Sequence, residues 1–117
     1  MIHTGEMIEF IGAFNETQEQ AHKTALEHGW WEGEERNQGE MIALMHSELS
    51  EALEGLRHGN PPSEHIPEFT AVEEEMADVI IRIMDNAERR GWRIAEAIVA
   101  KMKFNDSRPY KHGGKAF

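Results

Sequence analysis

Between Met41 and Arg57 the chain reads MIALMHSELSEALEGLR, and its apolar residues Ile42, Met45, Leu49, Ala52 and Leu56 recur at intervals of three and four. That period places side chains on one face of an α-helix and cannot be laid along a strand, whose faces alternate every second residue. On a wheel of about 100° per residue, the apolar arc runs from Leu44 through Met41, Ala52, Leu56 and Leu49 to Leu53. Glu48 falls inside this arc, Glu51 sits at its edge, and Glu54 points to the far side. A carboxylate on a core-facing stripe is costly unless a cation meets it.

A second stretch, VEEEMADVIIRIMDNAER from Val72 to Arg89, repeats the arrangement. Val72, Met76, Val79, Ile80, Ile83 and Ala87 make its apolar arc, with Glu75 and Asp78 together beside it and Arg82 and Asp85 continuing the same edge. If the two helices pack antiparallel, Glu48, Glu51, Glu75 and Asp78 converge. Four hard oxygen ligands suit Mg²⁺, or Mn²⁺, better than Zn²⁺. Glu73 and Glu74 read as helix-start charges favoured by the dipole, and Arg82 and Asp85 as partners in intrahelical or interhelical ion pairing.

The remaining punctuation sets the fold class. A first helix is expected from about Glu6 to His28, carrying Ile8, Ile11, Phe14, Ala21 and Ala25 and ended by Gly29. Trp30 to Gln38 reads as a loop, and the second helix, from near Gly39, stops before Gly59-Asn60-Pro61-Pro62. Thr70 and Glu73 form a capping box that opens the third helix, which Gly91 closes. A fourth runs from Trp92 to about Asn105, and the tail 106–117 is expected to be irregular. No stretch alternates with period two, so the expectation is a single all-α domain over 1–117, a four-helix bundle.

Composition narrows the chemistry. A formal charge of −10 argues against nucleic-acid polymers as partners. The apolar runs are too short for a membrane span, and the N-terminus carries no secretory signal. With no cysteine, the expected compartment is the cytoplasm.

Glu48-x-x-Glu51 and Glu75-x-x-Asp78, with residues 52–74 between them on two helices of a small all-α chain, resemble the MazG-type nucleotide pyrophosphohydrolases. The ending KMKFNDSRPYKHGGKAF is similar to the C-terminal signature of single-domain MazG-like members. The resemblance implies Mg²⁺-dependent hydrolysis of a nucleoside triphosphate between its α- and β-phosphates, giving the monophosphate and pyrophosphate. It implies metal ligation by Glu48, Glu51, Glu75 and Asp78, with Glu48 or Glu51 activating the attacking water. It also implies phosphate contacts from Lys101, Asn105 and Arg108, which share a helical face at i, i+4 and i+7 if the fourth helix persists. Lys111 and Lys115, beside Gly113-Gly114, could close as a flap.

Asn15, His22 and Trp31 are the candidates for contact with the base, with Gln18 and Trp30 as further options. Spare apolar residues such as Leu44 and Ile81 point to association, and the resemblance implies a homodimer or homotetramer. Two other readings stay open: a non-enzymatic helical module that binds a protein partner, and a related hydrolase acting on a phosphoribosyl nucleotide or an alarmone. A di-iron carboxylate bundle is disfavoured, because it needs two Glu-x-x-His motifs and only Glu19-x-x-His22 occurs.

Overall fold

The computed structural model describes residues 4–33 and 35–110, and among them occur helices, connecting turns and one isolated antiparallel bridge between Pro62 and Thr70, with no strand. The four helices are α1 (Thr4–Glu27), α2 (Gln38–Arg57), α3 (Ala71–Arg90) and α4 (Ile94–Asp106). None is long and apolar enough to cross a membrane. The expected tail from 111 onward, including Lys111 and Lys115, lies outside the described residues.

Each helix end has a local cause. After α1, Gly29 takes φ 76°, and the Trp30 N–H returns to the Ala25 carbonyl at 3.0 Å. Asn37 caps α2 by accepting from the Glu40 N–H. Thr70 and Glu73 complete the expected capping box at the start of α3. At its end, Gly91 adopts the left-handed conformation and the Trp92 N–H bonds to the Ala87 carbonyl at 2.9 Å. That bond draws Trp92 into closing α3, so α4 begins at Ile94 rather than at Trp92 as expected.

α3 is the central helix. α2 packs along one side of it, α1 along another, and α4 packs on α1. Gly55 lies against Ala71, where an added Cβ would come within 3.3 Å of the Ala71 Cβ, and Glu48 lies against Arg82 further along. α2 and α3 are therefore antiparallel, with Gly55 permitting close approach where the connecting loop is shortest. Within that loop Ser63 is buried, donating to Glu74 Oε1 at 2.6 Å and accepting from the His65 and Ile66 N–H groups. Glu74, read from sequence as a simple helix-start charge, anchors this loop, with His65 Nδ1 2.7 Å from its Oε2.

The buried faces differ from the expected arcs. On α2 the stripe turned inward is Met41, Met45, Glu48, Ala52 and Gly55, whereas Leu44, Leu49, Leu53 and Leu56 are exposed in the single chain. On α3, Met76 and Ile80 are likewise exposed, and burial is deepest over Met84, Asp85, Asn86 and Ala87. The apolar arcs are wider than one neighbour covers, so the leucine side of α2 is left about half exposed. The radius of gyration, 16.9 Å, exceeds the roughly 13 Å of a compact chain of this length. An open array of helices results.

Candidate metal and phosphate site

The inward stripe of α2 and the polar edge of α3 meet at their carboxylates. Oxygens of Glu48, Glu51 and Glu75 all lie within 4.8 Å of one another, with Glu48 and Glu75 half-buried and Glu51 exposed. Asp78, one turn beyond Glu75, falls outside this trio. It lines an adjoining cavity of about 200 Å³ with Glu48, Trp30, Ile81 and Arg82. The structure thus gathers three of the four expected ligands closely and sets the fourth beside them.

The electrostatics are those of a site short of positive charge. Burial, followed by the hydrogen-bonded Glu48 and by Glu51, pushes the Glu75 carboxyl up to about 8. Burial also raises Asp78, with Glu48 and Glu74 adding to the shift and Arg82 opposing it. Glu75 Oε2 is buried with no N–H or hydroxyl donor, the partners of its carboxyl being the Glu48 and Glu51 carboxyls, an arrangement that costs free energy once the group ionises unless a ligand supplies the missing interaction. The hard-oxygen donor set and this unsatisfied oxygen fit Mg²⁺ or Mn²⁺.

One cation does reach the trio. Arg82 Nε donates to Glu48 Oε1 at 2.9 Å, and Arg82 Nη2 lies 2.9 Å from the same oxygen. Arg82 and Asp85 thus do not pair with each other, but each takes a partner on another helix, the interhelical arrangement that was one of the two expected. Asp85 turns the other way, where His22 Nδ1 lies 2.7 Å from its Oδ1 and Trp31 Nε1 donates to both its oxygens. The sequence reading passed over Arg82. Its place at i+4 from Asp78 and i+7 from Glu75, on the carboxylates' own face, was the available signal.

The expected base contacts divide in the same way. Trp31 is buried with the Arg36 and Arg89 guanidinium groups over its ring, and His22 packs edge-on against it. Both polar tips are engaged by Asp85 inside the fold. Gln18 is buried and donates to Glu88 Oε1, while Asn15 is half-buried on α1. Trp30 is the exposed member of the pair and the one that faces the carboxylates. It also closes an apolar groove of about 400 Å³ between α1 and α3, lined by Thr17, Gln20, Ala21, Thr24, Ile81, Met84 and Asp78. Asp78, Ile81 and Trp30 border both this groove and the acidic cavity, so the two adjoin.

Lys101, Asn105 and Arg108 are not brought to the acidic trio. α4 packs on α1 and ends at Asp106, so Arg108 falls beyond the helix instead of continuing its face. Lys101 and Arg108 both lie over the Phe104 ring, and among the described residues no ion pair joins them to the trio. No protein-family model matches this chain, and neither a curated protein nor a solved structure matches it.

Proposed function

We propose that this chain is a divalent-cation-dependent nucleoside triphosphate pyrophosphohydrolase, cleaving between the α- and β-phosphates. The observation that carries the reading is the trio Glu48, Glu51 and Glu75 converging from two helices, with Glu75 Oε2 buried and met by no N–H or hydroxyl donor. A solvated acidic face would leave that oxygen in water. Glu48, Glu51 and Glu75 would hold Mg²⁺ or Mn²⁺, with Asp78 completing the set from the adjoining cavity. When bound, the ion would neutralise phosphate charge and lower the pKa of water at the reacting phosphorus.

The chain's own residues supply the rest. Glu51, the exposed member of the trio, would accept the proton of the attacking water. Glu48 and Glu75 would hold the cation from the less accessible side. The nucleoside would lie in the groove between α1 and α3, its base against the Trp30 indole, because that groove adjoins the acidic cavity. Lys101, Asn105 and Arg108 would serve the phosphates of a neighbouring copy in a homodimer or homotetramer. The exposed Leu49, Leu53 and Leu56 of α2 and Met76 and Ile80 of α3 supply apolar surface for such association.

Those same side chains favour the second reading, a helical module for a protein partner, but that reading leaves the Glu75 oxygen unexplained. The test is turnover of ribo- and deoxynucleoside triphosphates, a phosphoribosyl nucleotide and an alarmone, with Mg²⁺ or with EDTA. Glu48→Gln and Glu75→Gln variants are run alongside. Activity that needs the cation and is lost in both variants supports the proposal. No turnover of any substrate, with no cation binding by calorimetry, moves the function to the interaction module.

A further inference from the structure

The reading above leaves Arg82 without a task other than joining two helices, and its geometry says more. Nε and Nη2 converge on one oxygen, Glu48 Oε1, and among the described residues no other side chain accepts from this guanidinium. The side chain is 33% exposed, against 14% for Glu48, so its free N–H groups border open space. Two cavities flank it. One is the acidic cavity with Asp78 and Trp30; the other, of about 440 Å³, is lined by Trp30, Arg36, Glu40, Met41 and Leu44. Among the described residues no other cationic side chain is ion-paired with the acidic trio, and Lys101 and Arg108 lie over Phe104.

Resting on the pyrophosphohydrolase reading, we propose that Arg82 is a substrate-contacting residue that exchanges partners: it holds Glu48 in the cation-free protein and turns to the phosphoryl oxygens of the substrate once Glu48 ligates a divalent cation. The physical reason is competition for one oxygen. A guanidinium and a dication both drawn to Glu48 Oε1 repel each other at short range in a partly buried site. The displaced guanidinium then needs an anion, and its planar fork of N–H donors matches a phosphoryl group in a way that an ammonium does not. Rotation about the terminal bonds of the arginine keeps it within the two cavities it already borders. Binding is therefore ordered, with the cation preceding productive seating of the triphosphate.

The exchange gives opposite signs in two measurements, which a merely structural ion pair does not. The test is calorimetric titration of Mn²⁺ into wild type, Arg82→Gln and Arg82→Lys without nucleotide, with thermal melting of each. Steady-state turnover of the best triphosphate at saturating Mg²⁺ follows. Arg82→Gln is expected to bind Mn²⁺ about tenfold more tightly, because the competitor is gone, while kcat/KM falls about 100-fold for loss of a charged donor. Arg82→Lys is expected to keep cation affinity near wild type, since it still competes, while recovering only part of kcat/KM.

Mn²⁺ affinity that falls or stays level in Arg82→Gln, or kcat/KM unchanged in it, overturns the exchange while leaving the pyrophosphohydrolase reading standing. If Arg82→Gln does not fold, the lysine variant decides. Full recovery of kcat/KM there would show that the fork is not needed, and would overturn the proposal. Wild type that neither binds Mn²⁺ nor releases pyrophosphate is the distinct result that removes the underlying reading, and this proposal with it.

Discussion

Trp31 Nε1 donates to Asp85 Oδ1 at 2.9 Å and to Oδ2 at 3.1 Å, joining the loop after α1 to the most buried segment of α3. With His22 Nδ1 also on Asp85 Oδ1, this junction holds α1, the loop and α3 together. Trp31→Phe keeps most of the ring but removes the donor. It is expected to cost about 1–3 kcal/mol in urea unfolding and to leave KM for nucleotide unchanged. A stable variant with a raised KM would instead make Trp31 a base contact.

Glu75 carries the opposite balance of stability and function. Its carboxyl is held protonated by burial and by its acidic neighbours, so the ionised form strains the cation-free fold. Glu75→Gln is expected to stabilise the cation-free protein by about 1–2 kcal/mol at pH 8, allowing for solvent screening. The same variant should lose measurable Mn²⁺ binding. Thermal melting with and without Mn²⁺ checks both: wild type gains stability from the ion and the variant does not.

The sign of the pH dependence follows from the same group. Its folded pKa, about 8, lies above the ordinary value of 4.5. Between these values the native state binds more protons than the unfolded one, so this group's contribution is full below 4.5 and is lost as pH rises through 8. Cation-free stability is therefore expected to decline across that interval. Cation affinity moves the other way, rising about tenfold per pH unit up to the folded pKa, because ligation displaces a proton. Calorimetry in buffers of different ionisation enthalpy reads that proton directly.

The start of α3 positions Glu75 and Asp78, and its capping box is a separable support. Thr70 accepts from the Glu73 N–H at 3.2 Å, and the Thr70 N–H donates to Glu73 Oε1 at 2.9 Å. Thr70→Ala is expected to lower stability by about 1 kcal/mol, with turnover per folded molecule retained. Urea unfolding together with active-site titration distinguishes the two quantities.

How far the fold could be read beforehand depended on the kind of signal. Helix ends written in local chemistry, at Gly29, the Pro61-Pro62 turn, Thr70 and Gly91, were legible because each depends on residues a few positions away. The start of α4 was not, because Trp92 serves the preceding helix through its backbone. The convergence of Glu48, Glu51 and Glu75 was legible from the three-residue spacing on two helices. Which part of α2 faces α3 was legible only in part, because a helix with a broad apolar arc does not say how much of it its own chain covers. Met41, Met45, Glu48 and Ala52 turn inward as expected, whereas Leu44, Leu49, Leu53 and Leu56 of the same arc are exposed. The roles of Trp30 and Trp31 were beyond local reasoning altogether. Adjacent residues in a loop differ in fate only through Asp85, which is remote in sequence.

The most direct test is to follow one susceptible triphosphate by phosphorus NMR in Mg²⁺, with the reaction stopped before secondary hydrolysis. The account predicts resonances of the nucleoside monophosphate and of pyrophosphate in equal amounts, absent with EDTA and absent for Glu48→Gln. Orthophosphate with the nucleoside diphosphate would place the cut at the terminal phosphate and contradict the account.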